Sequence, residues 1–191
     1  MQQSYNKDID AAIEILHAKM SSIELSNSSV SDYNKSYFRE YQEHFYFFMP
    51  MYKQLLQKVL CKLSKPISES VFLDYGGGCG ILSYLAVELG FKSVLYNDIY
   101  EVSIQDVQVI AKELKCSIDS FICGGIKEVV STMHAENMQL DAVASFDVLE
   151  HIYDLEQWFH DVNALSKPFF LCFMTSANTA NPIVKRRLNK I

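Results

Sequence analysis

A chain of 191 residues, 49% of them hydrophobic and 21% charged, has room for one domain with a substantial core and is too apolar to be disordered. Its net charge of −6 argues against general nucleic-acid binding, and no apolar run approaches the roughly 20 residues of a membrane span. The five cysteines are scattered without a C-x-x-C pair, which predicts reduced thiols, a cytoplasmic protein and no zinc site.

Residues 1–65 are predicted to form a helical N-terminal extension. Apolar residues at helical spacing predict an amphipathic helix over 7–20, and the Ser/Asn-rich stretch 21–31 predicts a loop. An aromatic-rich helix is predicted over 33–49, and Pro50 is expected to begin a further helix that ends near residue 63.

The aromatic helix is open to three interpretations. It could be wedged between the sheet and a neighbouring helix, it could form a substrate-facing wall or lid, or it could contact a second copy in a homodimer. Ser31 or Asp32 is expected to cap it. Tyr37 and Tyr41 are assigned to the substrate side of the site.

Residues 66–191 predict a second unit in which strands alternate with helices. The alternation predicts an α/β fold with a doubly wound, mainly parallel sheet, whose ligand lies at the carboxyl ends of the strands near the switch point between strands 1 and 4. The predicted strands are 71–75, 93–97, 117–123, 141–146 and 169–174, and the helices between them are 79–89, 101–115, 126–133 and 154–166.

A glycine-rich turn follows the first strand and reads D-Y-G-G-G-C-G from Asp74 to Gly80. Its glycines permit positive φ angles and close approach of a ligand. The dinucleotide fingerprint G-x-G-x-x-G fails here, because Ile81 stands where the third glycine belongs. Two interpretations of this turn without a specific resemblance are open. It could merely pack a helix close to a strand, or it could belong to a nucleotide-sugar or NAD fold with a degenerate loop.

The pattern D-x-G-x-G-x-G, which starts at Asp74, resembles the first motif of the class I (Rossmann-like) S-adenosylmethionine-dependent methyltransferases. The segment D-V-L-E-H at 147–151 is similar to a motif of small-molecule methyltransferases of the ubiquinone-biosynthesis type. The resemblance implies strand order 3-2-1-4-5. Strands 6 and 7 of that fold are not found, so either the chain is a fragment, or the N-terminal helices or a second subunit cover the edge of strand 5.

The resemblance also assigns the cofactor site. Asp98 is expected to bind the ribose hydroxyls, and the alternative is a solvated aspartate that caps the next helix. The Asp74 carboxylate suits a cationic sulfonium and would repel a pyrophosphate. The acid that the family often places after strand 3 is absent from the segment 123–126. The predicted cofactor-binding residues are Asp74, Gly76, Gly77, Gly78, Gly80, Asp98, Ile99, Phe146 and Asp147.

His151 is the predicted general base, because the ordinary pKa of histidine lies near neutrality. The alternative is a structural, hydrogen-bonded histidine. Glu150 is placed on the substrate side, and no metal-ligand constellation is visible in the sequence.

The sequence therefore predicts an enzyme that transfers a methyl group from S-adenosylmethionine to an O, N or C nucleophile of a small molecule and releases S-adenosylhomocysteine. No nucleic-acid or membrane partner is expected. One alternative is a non-catalytic domain that binds S-adenosylmethionine or S-adenosylhomocysteine, or a scaffold. Another is an NAD-dependent oxidoreductase.

Overall fold

The computed structural model describes residues 2–166 and 168–175. Within these residues, three helices come first, and five strands that alternate with four further helices follow. Two short 3-10 turns lie at Ile67–Glu69 and Leu149–His151. The helices are α1 (Gln2–Ser21), α2 (Asp32–Glu43), α3 (Phe45–Leu60), α4 (Ile81–Glu88), α5 (Glu101–Glu113), α6 (Ile126–Ala135) and α7 (Leu155–Val162), and the strands are β1 (Val71–Tyr75), β2 (Ser93–Asp98), β3 (Ser120–Cys123), β4 (Ala142–Phe146) and β5 (Phe170–Met174).

The five strands form one parallel sheet in the order β3-β2-β1-β4-β5. The predicted α/β fold and strand order are therefore confirmed. The direction of strand succession reverses between β1 and β4, which opens a crevice at their carboxyl ends. The register aligns Asp74 of β1 with Tyr96 of β2 and Tyr75 with Asn97, so the end of β2 lies beside the glycine-rich turn.

The break between the two aromatic helices lies at His44, so the prediction that Pro50 begins a helix is wrong. Pro50 lies inside α3, in its second turn. A proline there cannot donate the backbone hydrogen bond that would reach the carbonyl of Tyr46. The apolar face of α3 is buried, and this packing outweighs the preference of proline for the first helical position. At the other boundary, Ser31 caps α2 by accepting a bond from the Asn34 N–H.

The N-terminal helices share a hydrophobic core with the sheet. Residues of α1 and α3, among them Leu16 and Leu55, belong to one buried cluster with Phe72 of β1 and Tyr84 of α4. The opposite face of the sheet packs against α6 and α7 through a second cluster that includes Trp158. Both faces are therefore covered, and we propose that 1–65 and 66–191 fold as one compact unit.

The edge strand β5 is less buried than its apolar sequence predicts. All five of its residues are half-buried, and α3 contacts both β4 and β5. The contact of α3 with β5 is in line with the expectation that the N-terminal helices cover this strand. Residues 176–191, which follow β5 and in which strands 6 and 7 were not found, lie outside the described residues.

Replacement of Leu55 tests whether the two segments unfold together. Leu55→Ala removes a fully buried side chain from the shared core, and we expect the free energy of unfolding to fall by about 2–5 kcal/mol. Phe47→Ala is the control, because Phe47 is 73% exposed. Urea denaturation followed by circular dichroism and by fluorescence of Trp158, on the far face of the sheet, should show one coincident transition. Separate transitions for the two probes would contradict a single unit.

Candidate cofactor-binding cleft

A cleft of about 1320 Å³ lies at the carboxyl ends of β1, β2 and β4. Small-ligand sites usually have volumes of about 300–1000 Å³, so this cleft has room for two ligands. Gly80 does not line it and is the N-cap of α4. The sequence-predicted residues that do line it are Asp74, Gly76, Gly77, Gly78, Asp98, Ile99, Phe146, Asp147, Tyr37, Tyr41, Glu150 and His151.

Three consecutive residues of β2 hold the glycine-rich loop. The hydroxyl of Tyr96 donates to the carbonyl of Gly78 at 2.5 Å. The backbone carbonyl of Asn97 accepts from the N–H of Gly77 at 2.9 Å. The carboxylate of Asp98 accepts from the N–H of Gly78 at 3.1 Å. The conformation of the loop is therefore set by the neighbouring strand as well as by the glycines.

Gly77 and Gly78 lie side by side in the loop, and glycine is suited to each position for a different physical reason. A Cβ on Gly77 would lie 2.5 Å from the ring of Tyr96 and 2.7 Å from Oδ2 of Asp74, so the packing of the protein itself requires glycine. Gly78 has φ +53°, and a Cβ there would meet no atom within 4 Å. Gly78 therefore faces the open space in which a ligand would lie.

Asp98 ends β2 at the edge of the cleft with only 6% of its surface exposed. Its Oδ1 accepts from the Tyr100 N–H at 2.9 Å, and its Oδ2 accepts from Gly78. Burial raises the pKa of Asp98, and the hydrogen bonds from Tyr100 and Gly78 oppose that shift. The residue is thus not the solvated aspartate of the alternative interpretation, although it does bond Tyr100, the N-cap of α5.

Asp74 is buried beneath the loop. Its Oδ2 accepts from the Ser83 hydroxyl at 2.7 Å and from the Ser83 N–H at 3.0 Å. Burial raises the pKa of Asp74 to about 7, although the two bonds from Ser83 lower it. A nearby cation would favour the ionised form of this carboxyl.

The β3 side of the cleft offers an unpartnered acceptor instead of the expected acid. The side-chain amide of Asn97 donates to the carbonyls of Ile122 and Gly124, both at 2.9 Å, which fixes its orientation. Its Oδ1 is buried and has no hydrogen-bond partner among residues 2–166 and 168–175. A buried acceptor of this kind is usually satisfied by water or a ligand. The sequence around Asn97 did not predict that this side chain would offer an unpartnered acceptor.

An aromatic wall closes the β4 side. The ring of Phe146 stacks on Tyr52 of α3 with centroids 4.6 Å apart, and the hydroxyls of Tyr52 and Tyr41 lie 2.7 Å apart. Burial raises the pKa of both tyrosines, so both are neutral near pH 7. Sequence reasoning missed Tyr52, because Pro50 suggested that the aromatic helix ended before it.

The mouth of the cleft carries the remaining predicted residues. Asp147 follows β4 with φ +55° and donates its N–H to the Met174 carbonyl at the end of β5, at 2.8 Å. Glu150 and His151 lie exposed on the 3-10 turn that follows. Within the described part of the chain, the His151 ring has no hydrogen-bond partner. This geometry disfavours the alternative of a structural histidine.

Helix α2 forms the roof of the cleft beside β2. Its residues Tyr33 and Tyr37 are 65% and 46% exposed, and their ring centroids are 4.8 Å apart. Both line the cleft, as do Ile99 and Tyr100 across from them. Tyr33 was not predicted as a site residue.

Searches for a metal site and for a membrane span were made over the described residues. No group of three or more His, Cys, Asp or Glu side chains there is arranged to hold a metal ion. None of the described helices combines the length and apolar character needed to cross a bilayer.

The parallel sheet in this order, with a glycine-rich loop after β1 and a carboxylate at the end of β2, defines a Rossmann-like, cofactor-binding class of protein. A family model described as a methyltransferase domain matches residues 38–189. The chain therefore belongs to the methyltransferase domain family. The predicted class I methyltransferase is confirmed, with S-adenosylmethionine as cofactor and S-adenosylhomocysteine as product. The small-molecule subtype inferred from D-V-L-E-H stays a prediction.

Solved structures share the fold at low sequence identity. A candidate S-adenosyl-L-methionine-dependent methyltransferase from Methanococcus maripaludis is 13% identical, with a TM-score of 0.57 over 87% of this chain and 75% of that one. An S-adenosylmethionine-dependent methyltransferase from Clostridium acetobutylicum is 16% identical, with a TM-score of 0.54 over 72% of this chain and 55% of that one. A complex of the Trm112 methyltransferase activator with a candidate methyltransferase from Haloferax volcanii is 14% identical, with a TM-score of 0.51 over 85% of this chain and 67% of that one. A comparison with curated proteins gives no significant match.

Substitution of Asp74 should weaken cofactor binding without lowering stability. Its pKa in the folded protein, about 7, lies above the ordinary 3.8, so the folded state binds the proton more tightly and this carboxyl lowers stability as pH rises from 3.8 to 7. We expect Asp74→Asn to leave the melting temperature at pH 8 unchanged or raised. Binding of S-adenosylmethionine should weaken about tenfold, because the substitution removes the predicted anionic partner of the sulfonium.

Calorimetry of S-adenosylmethionine between pH 6 and 8 supplies the check. In the wild type, affinity should rise with pH as Asp74 ionises, and Asp74→Asn should remove this component. Equal affinity of the two proteins at pH 8 would show that Asp74 does not act on the cofactor.

Proposed function

We propose that this protein transfers the methyl group of S-adenosylmethionine to a neutral or cationic small molecule, and that both bind in the cleft described above. The observation that carries the proposal is the nearly buried Asp98 carboxylate at the end of β2, bonded to the N–H of Gly78 where the loop faces open space. A carboxylate at that position is suited to accept bonds from both ribose hydroxyls.

The chain's own residues fit the other parts of the cofactor. Ile99 is an apolar side chain that is 60% exposed in the cleft, which suits packing against adenine. The unpartnered Oδ1 of Asn97 suits an amino group on the β3 side. Asp74 is the carboxylate for the cationic part of the cofactor, and Phe146 and Asp147 would flank its methionine portion.

The cofactor supplies an activated methyl group, which a nucleophile can accept directly. The protein then contributes proximity, alignment and exclusion of water. The stacked rings of Phe146 and Tyr52 keep water from one side of the transfer site. His151, exposed at the mouth, would take the proton of the acceptor's nucleophile, with Glu150 beside it.

The charges of the cleft favour a class of acceptor. Seven carboxylates and one lysine line it, so the cleft opposes a phosphate-rich polyanion and attracts a neutral or cationic molecule. Tyr37 and Tyr41 supply aromatic surface and a hydroxyl on the acceptor side, which suits a molecule with both apolar and polar parts. The carboxylates are Asp74, Asp98, Glu128, Asp147, Glu150, Asp154 and Asp161, and the lysine is Lys127.

Calorimetric titration with S-adenosylhomocysteine and with NAD tests the cofactor site. We expect micromolar affinity for S-adenosylhomocysteine, none for NAD, and a loss of at least about tenfold in Asp98→Asn, because a charge-assisted hydrogen bond is weakened. Asp119→Asn is the matched control, since Asp119 accepts the Val94 N–H at 2.8 Å away from the cleft. An unchanged affinity in Asp98→Asn would contradict the assignment.

Production of S-adenosylhomocysteine from panels of amines, phenols, carboxylic acids and RNA tests the acceptor class. We expect turnover with amines or phenols, and about 100-fold slower turnover in His151→Gln with unchanged S-adenosylhomocysteine affinity. Turnover with RNA alone would overturn the small-molecule assignment. Cofactor binding without turnover on any panel would favour the non-catalytic alternative.

A further inference from the structure

A buried aspartate outside the cleft joins the N-terminal helices to the cofactor side of the sheet. Asp106 lies on α5 with 3% of its surface exposed. Its Oδ1 accepts from the Ser31 N–H at 2.9 Å. Its Oδ2 accepts from the side-chain amide of Asn34 at 2.8 Å and from the hydroxyl of Ser31. All three donors belong to the N-cap and first turn of α2.

That same turn forms the roof of the cleft. Tyr33 and Asn34 line it, and Tyr37 follows one turn later. Ser31 has two roles at once, because its hydroxyl oxygen also accepts the Asn34 N–H that begins the helix. The Asp106 carboxylate lies at the N-terminal, positive end of the α2 dipole, an arrangement that stabilises the start of the helix.

The two ends of α2 are held by different elements. At the C-terminal end, the amide of Gln42 donates at 2.7 Å to the carbonyl of Met20, in the last turn of α1, and at 3.1 Å to the carbonyl of Ile23, just after that helix. At the N-terminal end, Asp106 supplies every side-chain hydrogen bond between α2 and α5 found among the described residues. These bonds tie the first turn of α2, which carries Tyr33, directly to α5, while Phe38 anchors the same helix in the hydrophobic core.

We propose that Asp106 is a positioning residue for the cofactor: it holds the first turn of α2 against α5 so that Tyr33 and Tyr37 cover the ribose side of the cleft. The proposal rests on the proposed function, because it takes the ribose to lie at Asp98. Asp106 does not line the cleft, so its effect on affinity is transmitted through α2. Helix α5 starts directly after the loop of Asp98, which gives the roof and the ribose acid a common support.

A reciprocal exchange of two side chains tests this role. In Asp106→Asn, two amide groups with N–H donors face each other across the 2.8 Å contact, and in Asn34→Asp two carboxylates do so. In the double variant N34D/D106N, the pair is restored with donor and acceptor exchanged, while Oδ1 of the new asparagine can still accept the Ser31 N–H. Ser31→Ala is a milder variant, because it removes only the hydroxyl.

We expect each single exchange to weaken S-adenosylhomocysteine binding about tenfold, since each breaks the hydrogen bond between side chains 34 and 106 that holds the roof. The double variant should bind within about twofold of the wild type, and Ser31→Ala should lose about threefold. Asp119→Asn, which also removes a carboxylate that accepts a backbone N–H, should bind as the wild type does.

The melting temperature of each variant without ligand separates positioning from simple stability. A purely structural role would lower that temperature and leave the dissociation constant of the folded protein unchanged, and this result would overturn the proposal. So would a double variant that binds no better than the singles. If a single exchange fails to fold, Ser31→Ala and the double variant still decide. If the wild type does not bind S-adenosylhomocysteine, the proposed function itself fails, which is a different result from equal binding by all variants.

Discussion

The hydrogen bonds from the end of β2 to the glycine-rich loop are the constraint on which the rest of the site depends. Tyr96, Asn97 and Asp98 each bond the loop through a different group: a hydroxyl, a backbone carbonyl and a carboxylate. The loop can approach so closely because Gly77 has no Cβ to meet the Tyr96 ring. The end of β2 thus sets the conformation of the loop and also presents Asp98, the candidate ribose acid. A substitution that displaces the loop would therefore also displace Asp98, and the reverse.

The same strand end also organises the N-terminal helices. Helix α5 follows Asp98 after a short loop and carries Asp106, which binds the first turn of α2. On the other side of the cleft, Tyr52 of α3 stacks on Phe146 at the end of β4. The helices that precede the sheet in sequence therefore form the roof and one wall of the cleft, and in such folds function depends on elements added to the common core.

Local patterns predicted the fold and most of the named residues that line the cleft, whereas contacts between residues distant in sequence were missed. Apolar strand runs, the acid–glycine pattern at Asp74 and the acid at the end of β2 are legible because each lies within a few adjacent residues. The bonds that join Asn34 to Asp106, and the stack of Tyr52 on Phe146, link residues that only the tertiary fold brings together. The start of α3 was predicted wrongly from Pro50, because burial of a face of the helix outweighed the preference of proline for the first helical position.

A crystal structure of the complex with S-adenosylhomocysteine tests the central claim most directly. We expect the ribose hydroxyls to lie at hydrogen-bonding distance, about 2.5–3.0 Å, from the Asp98 carboxylate. The ligand should lie against the backbone of Gly78, and the rings of Tyr33 and Tyr37 should lie over the ribose. A ligand bound in the cleft with its ribose away from Asp98, or bound elsewhere on the protein, would contradict the account.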